Sequence, residues 1–162
     1  MVSAEWRTRA DWVLDGSDQN SLARPVADGR PIEVVCALIE RDGRVLAARR
    51  PRSKSQGGKW EFPGGKLHDG ESPREALVRE IAEELCVAIR VGEALPPSTH
   101  DYVSFAITLL PFRCAIESGE PHAVEHEALA WCDLGQLVSL DWAAADVPIV
   151  AGYLAERGGA AL

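Results

Sequence analysis

The stretch GKLHDGESPREALVREIAEELCV, residues 65–87, decides the fold and carries the most chemical information in the chain. Three of its carboxylates, Glu80, Glu83 and Glu84, are spaced i, i+3 and i+4 on a predicted helix and therefore share one face. Like charges at this spacing repel one another, so we expect a positive group to meet that face. A hard divalent cation is the natural candidate, because Mg²⁺ typically bridges carboxylates to substrate phosphates.

The same stretch has the local signals of a helix from Pro73 to Leu85. Ser72 is a favoured N-cap residue, and Glu75 completes a capping box with it. Proline suits the first helical position, where its missing N–H is not needed. Apolar residues form a stripe opposite much of the acidic face: Ala76, Leu77, Ile81 and Leu85.

A glycine-rich segment, WEFPGG at residues 60–65, comes before this helix. Its two glycines allow the backbone to approach a ligand closely. Arg79 on the helix is expected to reach back to Glu71 in the preceding loop and to hold loop and helix together.

Together these features resemble the Nudix box, whose pattern is G-x5-E-x7-R-E-U-x-E-E-x-G-U, with U a bulky aliphatic residue. The matching residues are Gly65, Glu71, Arg79, Glu80, Ile81, Glu83, Glu84 and Val87. Cys86 stands where the family has glycine, at a helix end that often takes a left-handed conformation. If that conformation is kept, the cysteine is expected to cost about 1 kcal/mol.

The resemblance extends over residues 31–154, toward the MutT-type branch of the Nudix hydrolases. The segments that carry it are IEVVCALIERDGRVLAARRP, GKWEFPGGK, EHEALAWC and AADVPIV. It implies an α/β fold, the Nudix α/β/α sandwich with a mixed β-sheet between helices. It also implies Mg²⁺-dependent hydrolysis of (deoxy)nucleoside triphosphates to a monophosphate and pyrophosphate, with Mn²⁺ able to replace Mg²⁺. CTP, dCTP or oxidised dGTP are the substrates it favours, and nucleotide-pool sanitation is the role that such an activity implies.

The resemblance also assigns roles to individual residues. Glu80 and Glu84 correspond to the carboxylates that usually bind metal directly, and the Gly64 carbonyl is a further candidate ligand. Glu125, outside the box, matches a glutamate that approaches the metal and acts as base or ligand. A solvated helix face and an ordinary loop glutamate are the alternatives. The predicted catalytic residues are Glu80, Glu83, Glu84, Glu125 and Arg79, and the predicted metal ligands are Gly64, Glu80, Glu84 and Glu125.

Four residues are candidates for substrate binding: Arg50, Phe62, Lys66 and Asp146. Phe62 either stacks on a base or fills the core, while Arg50 and Lys66 offer positive charge to a triphosphate. The resemblance places Arg50 at the nucleotide, with an ordinary strand-end charge as the alternative. Asp146 falls where MutT-type enzymes carry Asn or Asp facing the base, and a carboxylate there accepts hydrogen bonds from cytosine or guanine. Its alternative role is the N-cap of the last helix.

Two other functions stay open. Tyr102 lies where some dinucleoside-polyphosphate hydrolases have a tyrosine, so the substrate could be another nucleoside diphosphate-linked compound, including a nucleotide sugar. The second is a catalytically silent nucleotide-binding module, against which the intact carboxylates of the box argue.

Two histidines, His122 and His126, lie near Glu125 in the sequence and are interpreted as surface residues.

Composition limits the partners. Of 162 residues, 46% are hydrophobic and 26% charged, and a net charge of −8 excludes a broad basic surface for a nucleic-acid polymer. No apolar run approaches the roughly 18 residues of a membrane span, and the N-terminus lacks an apolar signal core. The four cysteines show no C-x-x-C pair and are interpreted as reduced thiols. We therefore predict a cytoplasmic monomer or homodimer that binds a small nucleotide and no membrane.

The chain is expected to form one domain, residues 31–162, preceded by an extension, residues 1–30, that is either a mobile arm or a docked segment. Further strands and a final helix are predicted from periodicity and turn signals. The strands span Ile32–Ile39, Val45–Arg49, Ala88–Leu95, Val103–Ile116 and Ala128–Cys132, and the helix spans Ala143–Ala155.

Overall fold

The structure of the protein, a computed structural model, describes residues 29–159. The predicted N-terminal extension lies outside the described residues except for its last two positions. Among the helices in residues 29–159, none combines the length and the hydropathy that a membrane span requires.

A mixed β-sheet forms the centre of the described domain. Its strands are β1 (Ile32–Arg41), β2 (Arg44–Arg49), β3 (Trp60–Glu61), β4 (Gly64–Lys66), β5 (Ala88–Ala94), β6 (Ser98–Asp101), β7 (Ala106–Ser118) and β8 (Ala128–Cys132). The main path runs β3-β2-β1-β7-β5, with β4 beside β1, β6 beside β7 and β8 beside β2. Strands β1 and β7 are parallel, and the other named pairs are antiparallel. The predicted mixed sheet is therefore confirmed.

Helices cover both faces of this sheet: α1 (Pro73–Leu85), α2 (Leu134–Ser139) and α3 (Val147–Gly159). Side chains of β1 alternate between two hydrophobic clusters, as the period of a strand requires. Val35, Ala37 and Ile39 pack with residues of α1. Cys36 and Leu38 belong to the cluster that contains residues of α2 and α3. This arrangement is the predicted α/β/α sandwich.

Two predicted boundaries were wrong. The long strand begins at Ala106 instead of Val103, because the Tyr102 N–H donates to the Phe105 carbonyl (2.7 Å) and closes a turn. The last helix begins at Val147 instead of Ala143, because residues 143–146 form a turn in which the Asp146 N–H donates to the Ala143 carbonyl (3.0 Å). The short elements β3, β4, β6 and α2 were not predicted.

Candidate active site

Helix α1 has the predicted ends. The Ser72 side chain accepts a hydrogen bond from the Glu75 N–H, and the Glu75 carboxylate accepts one from the Ser72 N–H. At the other end, Cys86 takes φ 59° and ψ 33°, the left-handed conformation that the family position predicted. The helix geometry is therefore kept despite the missing glycine.

The glycine pair lets the backbone of β4 lie directly against its neighbours. A Cβ on Gly65 would overlap the Glu80 carboxyl group, and one on Gly64 would overlap the Val35 carbonyl oxygen. The Gly64 N–H also donates to Glu84 Oε2 over 3.3 Å. Close approach therefore explains both glycines, which bring the helix carboxylates against the strand.

Arg79 ties the loop to the helix. Its Nε and Nη2 donate to the two carboxylate oxygens of Glu71 over 2.7 and 2.9 Å, and its Nη1 donates to Glu80 over 2.8 Å. Its Nη2 also donates to the Lys66 carbonyl (3.1 Å), while Glu83 Oε1 lies 3.8 Å from Nη1. Hydrogen bonds from Arg79 lower the pKa of Glu71 to about 2. The guanidinium is thus in the predicted bracing position.

Two carboxylates on the acidic face of α1 are buried. Glu80 and Glu84 are each 6% exposed. Burial raises the pKa of Glu80 to about 7, although its hydrogen bond with Arg79 acts in the opposite direction. Burial, and then the charges of Glu80, Glu61 and Glu125, raise the pKa of Glu84 well above its ordinary value. The hydrogen bond from the Gly64 N–H lowers the pKa of Glu84 only slightly against these effects. An added cation would therefore stabilise the ionised carboxylates.

Within residues 29–159, no three acidic, histidine or cysteine side chains form a ready-made metal-binding group. The carboxylates are present, but they are not gathered around one point. Even so, the donor set consists of oxygens alone, which suits a hard cation such as Mg²⁺.

A single cleft brings carboxylates of this face together with apolar side chains. It is lined by Val34, Val35, Cys36, Arg50, Pro51, Glu61, Phe62, Gly64, Gly65, Glu84, Ile107, Leu109, Glu125, His126, Ala145 and Asp146. Six predicted site residues are therefore brought together: Arg50, Phe62, Gly64, Glu84, Glu125 and Asp146. Glu80 adjoins the cleft through Gly65. Lys66 does not line it, and lies in a separate polar groove with Arg30 and His68.

Another part of the cleft wall is built from the residue that follows β3 and the residue that precedes α3. Asp146 Oδ1 accepts a hydrogen bond from the Phe62 N–H over 2.9 Å, across 84 positions of sequence. The Phe62 ring is 3% exposed and packs 4.8 Å from the Trp142 ring, so it forms part of the pocket wall and the core. Burial, and then the charge of Glu61, raise the pKa of Asp146 well above its ordinary value.

Asp146 also occupies the position before α3. Its carbonyl accepts from the Val150 N–H over 3.0 Å, as a helix start requires. Its carboxylate, however, accepts from Phe62. The side chain is thus directed to the cleft wall, while the backbone begins the helix.

A buried ion-pair network was missed by the sequence interpretation. Glu61 Oε1 lies 3.0 Å from His126 Nε2, and Glu61 Oε2 accepts from Arg50 Nη1 over 3.1 Å. The Arg50 Nε also donates to the Ser55 carbonyl over 2.7 Å. Although burial acts to raise the pKa of Glu61, Arg50 and His126 lower it overall.

This network corrects one expectation. His126 is 9% exposed and lies in the cleft, so its interpretation as a surface histidine was wrong, whereas His122 is exposed. One feature of the sequence could have indicated this network: Glu61 lies between two aromatic residues in the segment WEF, where a carboxylate is expected to be partly buried and to need partners. Its partners are unpredictable without the sheet register, which pairs β2 with β3 and with β8.

Comparisons with known proteins agree with this architecture. Residues 34–152 match the family model described as NUDIX domain. The CTP pyrophosphohydrolase of Escherichia coli K12 is 41% identical over 126 residues, which cover 78% of this chain and 93% of that protein. The 8-oxo-dGTP diphosphatase of the same strain is 27% identical over 123 residues, covering 75% of this chain and 95% of that protein.

The solution structure of the E. coli ORF135 protein has a TM-score of 0.71 at 39% sequence identity, covering 80% of this chain and 93% of that chain. Structure and sequence therefore lead to the same group of proteins. Since the family match runs from β1 into α3 and spans well over half of the sequence, the chain belongs to the Nudix family and is a Nudix hydrolase.

Proposed function

We propose that this Nudix hydrolase cleaves nucleoside triphosphates to a monophosphate and pyrophosphate in a Mg²⁺-dependent reaction. One observation carries the proposal: a single cleft brings carboxylates together with apolar side chains. Glu84 and Glu125 line this cleft together with Phe62 and Asp146. A nucleotide is the ligand class that needs both, since its phosphates attract a cation and its base fits an apolar wall.

The metal would be held by the carboxylates of Glu80, Glu84 and Glu125 together with the Gly64 carbonyl. All four donors are oxygens, which suits Mg²⁺ and also Mn²⁺. Buried carboxylates with raised pKa values supply the physical reason for a cation at this place. When bound, such a cation neutralises phosphate charge and makes nearby water a better nucleophile.

The residues of the chain would then position the reactants. Arg79 and Glu71 hold the loop against α1, and the Gly64 N–H orients the Glu84 carboxylate. Glu125 is the candidate base that accepts a proton from the attacking water where it does not itself bind the metal. Water attacks phosphorus in line and pyrophosphate leaves, so no side chain needs to form a covalent bond to the substrate. Positioning and electrostatic stabilisation supply most of the acceleration.

The base preference would depend on the apolar end. Asp146 presents a carboxyl group beside the Phe62 backbone, where it can pair with the polar edge of a base. The exocyclic amino groups of cytosine and guanine are donors that a carboxylate accepts. Relatives named CTP pyrophosphohydrolase and 8-oxo-dGTP diphosphatase support the same two bases. We therefore place CTP, dCTP and oxidised dGTP first among the substrates.

A nucleotide panel tests the proposal. CTP, dCTP, dGTP, 8-oxo-dGTP and UTP are incubated with Mg²⁺ beside a dinucleoside polyphosphate and a nucleotide sugar, and the products are separated by anion-exchange chromatography. The expected result is equal amounts of monophosphate and pyrophosphate from at least one triphosphate. Turnover of only the linked dinucleotides or sugars, release of orthophosphate, or no turnover would contradict the proposal.

A further inference from the structure

The loop after β2 concentrates positive charge beside the cleft. Together with Arg49, the last residue of β2, it forms the segment RRPRSKSQGGK, residues 49–59, which carries five basic side chains in a chain whose net charge is −8. An acidic protein repels a polyanionic ligand at long range, so a local group of cations beside its acidic cleft has an electrostatic consequence. A cation in this segment that faces the cleft would attract the phosphates of a ligand.

The loop has a definite shape, which the buried Arg50 holds from inside. The Arg50 Nε donates to the Ser55 carbonyl over 2.7 Å. Backbone bonds join Lys54 N–H to the Pro51 carbonyl (3.0 Å) and Gly58 N–H to the Arg50 carbonyl (2.9 Å). Position 52 is therefore fixed relative to the cleft, although its own side chain is 75% exposed.

Arg52 meets one carboxylate at the rim. Its Nε lies 3.8 Å from Glu127 Oε1, and the Arg49 Nε lies 3.6 Å from Glu127 Oε2. Arg52 directly follows Pro51 and Glu127 directly follows His126, and both Pro51 and His126 line the cleft, so the Arg52–Glu127 pair borders it. Two guanidinium groups share one carboxylate here, which leaves a net positive charge.

The two arginines differ in how firmly they are held. The Arg49 Nε also donates to the Gly58 carbonyl over 3.1 Å, and its side chain is 33% exposed. Arg52 makes a longer contact and is far more exposed, and surface pairs of this kind contribute little to stability. Arg52 can therefore exchange Glu127 for a stronger anion at small cost.

From this arrangement we infer that Arg52 binds the terminal phosphate of the nucleoside triphosphate and makes the enzyme prefer triphosphates to diphosphates, with Glu127 as its resting partner. The inference rests on the proposed function, since it concerns the outer end of the same substrate. In the proposed pose, with the base at Asp146 and the inner phosphates at Glu84 and Glu125, the terminal phosphate would extend past Glu125 toward Glu127, two residues further along the chain, and so toward Arg52. A guanidinium suits this task because its parallel N–H groups match two phosphate oxygens.

Opposite effects of two substitutions test the inference. Arg52→Gln should lower kcat/KM for CTP by about 10-fold, the size of a lost charge-assisted hydrogen bond, and change that for CDP by less than about 2-fold. Glu127→Gln, which removes the competing carboxylate, should raise kcat/KM for CTP by up to about 5-fold. Arg90→Gln is the control, because Arg90 is also exposed but lies on β5, at the far edge of the sheet.

Equilibrium binding separates failure of this inference from failure of the proposed function. The affinities of α,β-methylene CTP and α,β-methylene CDP are measured by calorimetry for the wild type and each variant, so no turnover is required. Selective weakening of triphosphate binding by Arg52→Gln supports the inference even if CTP is not the best substrate. Equal losses for the two analogues, or an unchanged ratio between them, would overturn it while leaving the hydrolysis assay unaffected.

Discussion

Glu61 and Glu84 line the same cleft, and each carboxylate is largely shielded from water, yet their charges are balanced in different ways. Glu61 lies between Arg50 and His126, which lower its pKa against the effect of burial. Glu84 accepts one backbone N–H at 3.3 Å and is surrounded by other carboxylates, so its pKa is raised. The protein supplies the countercharge for one carboxylate and not for the other.

This difference separates a structural role from a ligand-binding role. A buried charge with internal partners contributes to the architecture, because removing it leaves those partners unpaired. A buried charge without internal partners destabilises the folded protein until a cation binds beside it. We therefore expect substitutions of Glu84 to change ligand binding and catalysis, and substitutions of Glu61 to change stability.

The largest effect is expected from Glu84→Gln. This change should lower kcat by at least about 10²-fold, because it removes a charge that the proposed cation requires. The fold should survive, since a neutral amide avoids the cost of burying a carboxylate. Mg²⁺ should raise the melting temperature of the wild type and not that of the variant, as expected for a ligand that binds only the native site. Full activity in excess chelator would contradict this assignment.

The second-largest effect is expected from Glu61→Gln, and it is a loss of stability. Breaking a buried ion pair while leaving the Arg50 charge in place should lower the free energy of unfolding by about 3 kcal/mol. For a chain of this length the melting temperature should fall by about 6–12 °C. The matched control is Asp141→Asn, which breaks an exposed pair with Lys59 (2.9 Å) and should cost less than about 1 kcal/mol. Equal losses in the two variants would remove the distinction between Glu61 and a surface charge.

The sequence predicted the acidic end better than the base end for a physical reason. Carboxylates at i, i+3 and i+4 of one helix share a face whatever the rest of the chain does. The cap residues that bound α1 lie within the same short stretch, so local rules were sufficient. At Cys86 the family resemblance, and not a local rule, suggested a left-handed helix end, and the structure has that conformation.

The base end depends on contacts between distant segments. Phe62 and Asp146 meet across 84 residues, and His126 reaches Glu61 across 65. Those contacts follow from sheet register and from the short strand β3, which two residues cannot signal by periodicity. The same reason explains why Lys66 was placed at the phosphates, whereas it lies in a neighbouring groove.

Asp146 extends the comparison to a third buried carboxyl group. Like Glu84 it has one backbone N–H and a raised pKa, so we expect it to need a partner from the ligand or a proton. Asp146→Ala should lower kcat/KM for CTP or 8-oxo-dGTP by about 10-fold and change that for UTP less. Asp146→Asn distinguishes the protonated from the ionised form of the Asp146 carboxyl group. If the group is protonated, the asparagine amide should preserve the ranking of substrates, because both can donate a hydrogen bond; if it is ionised, the ranking should shift.

A pH series on stability makes the same distinction. Because the folded-state pKa of Asp146 is raised, its contribution to stability is fully present below its ordinary pKa of 3.8 and is lost as the pH rises through the folded value. Asp146→Asn has no such loss, so its melting temperature relative to the wild type should rise with pH above about 4. A difference in melting temperature that stays constant from pH 4 to pH 8 would show that the Asp146 carboxyl group does not titrate abnormally.

For the kinetic test of Asp146→Ala, equal losses of kcat/KM on every nucleotide would rule out base recognition by this residue.

The smallest effect is expected at Cys86, which ends the helix that carries Glu84. Its φ of 59° is unfavourable for a residue with a Cβ and favourable for glycine, so Cys86→Gly should raise the free energy of unfolding by about 1 kcal/mol and the melting temperature by about 2–4 °C. Cys86→Ala keeps the Cβ and should leave stability nearly unchanged, which separates the backbone effect from loss of the exposed thiol. Neither change should alter kcat, because Gly64 and the packing of Gly65 against Glu80 position the carboxylates independently of the helix end. A fall in kcat for Cys86→Gly at unchanged stability would mean that the helix end helps to position Glu84, and that the acidic end is not fixed by the glycine pair alone.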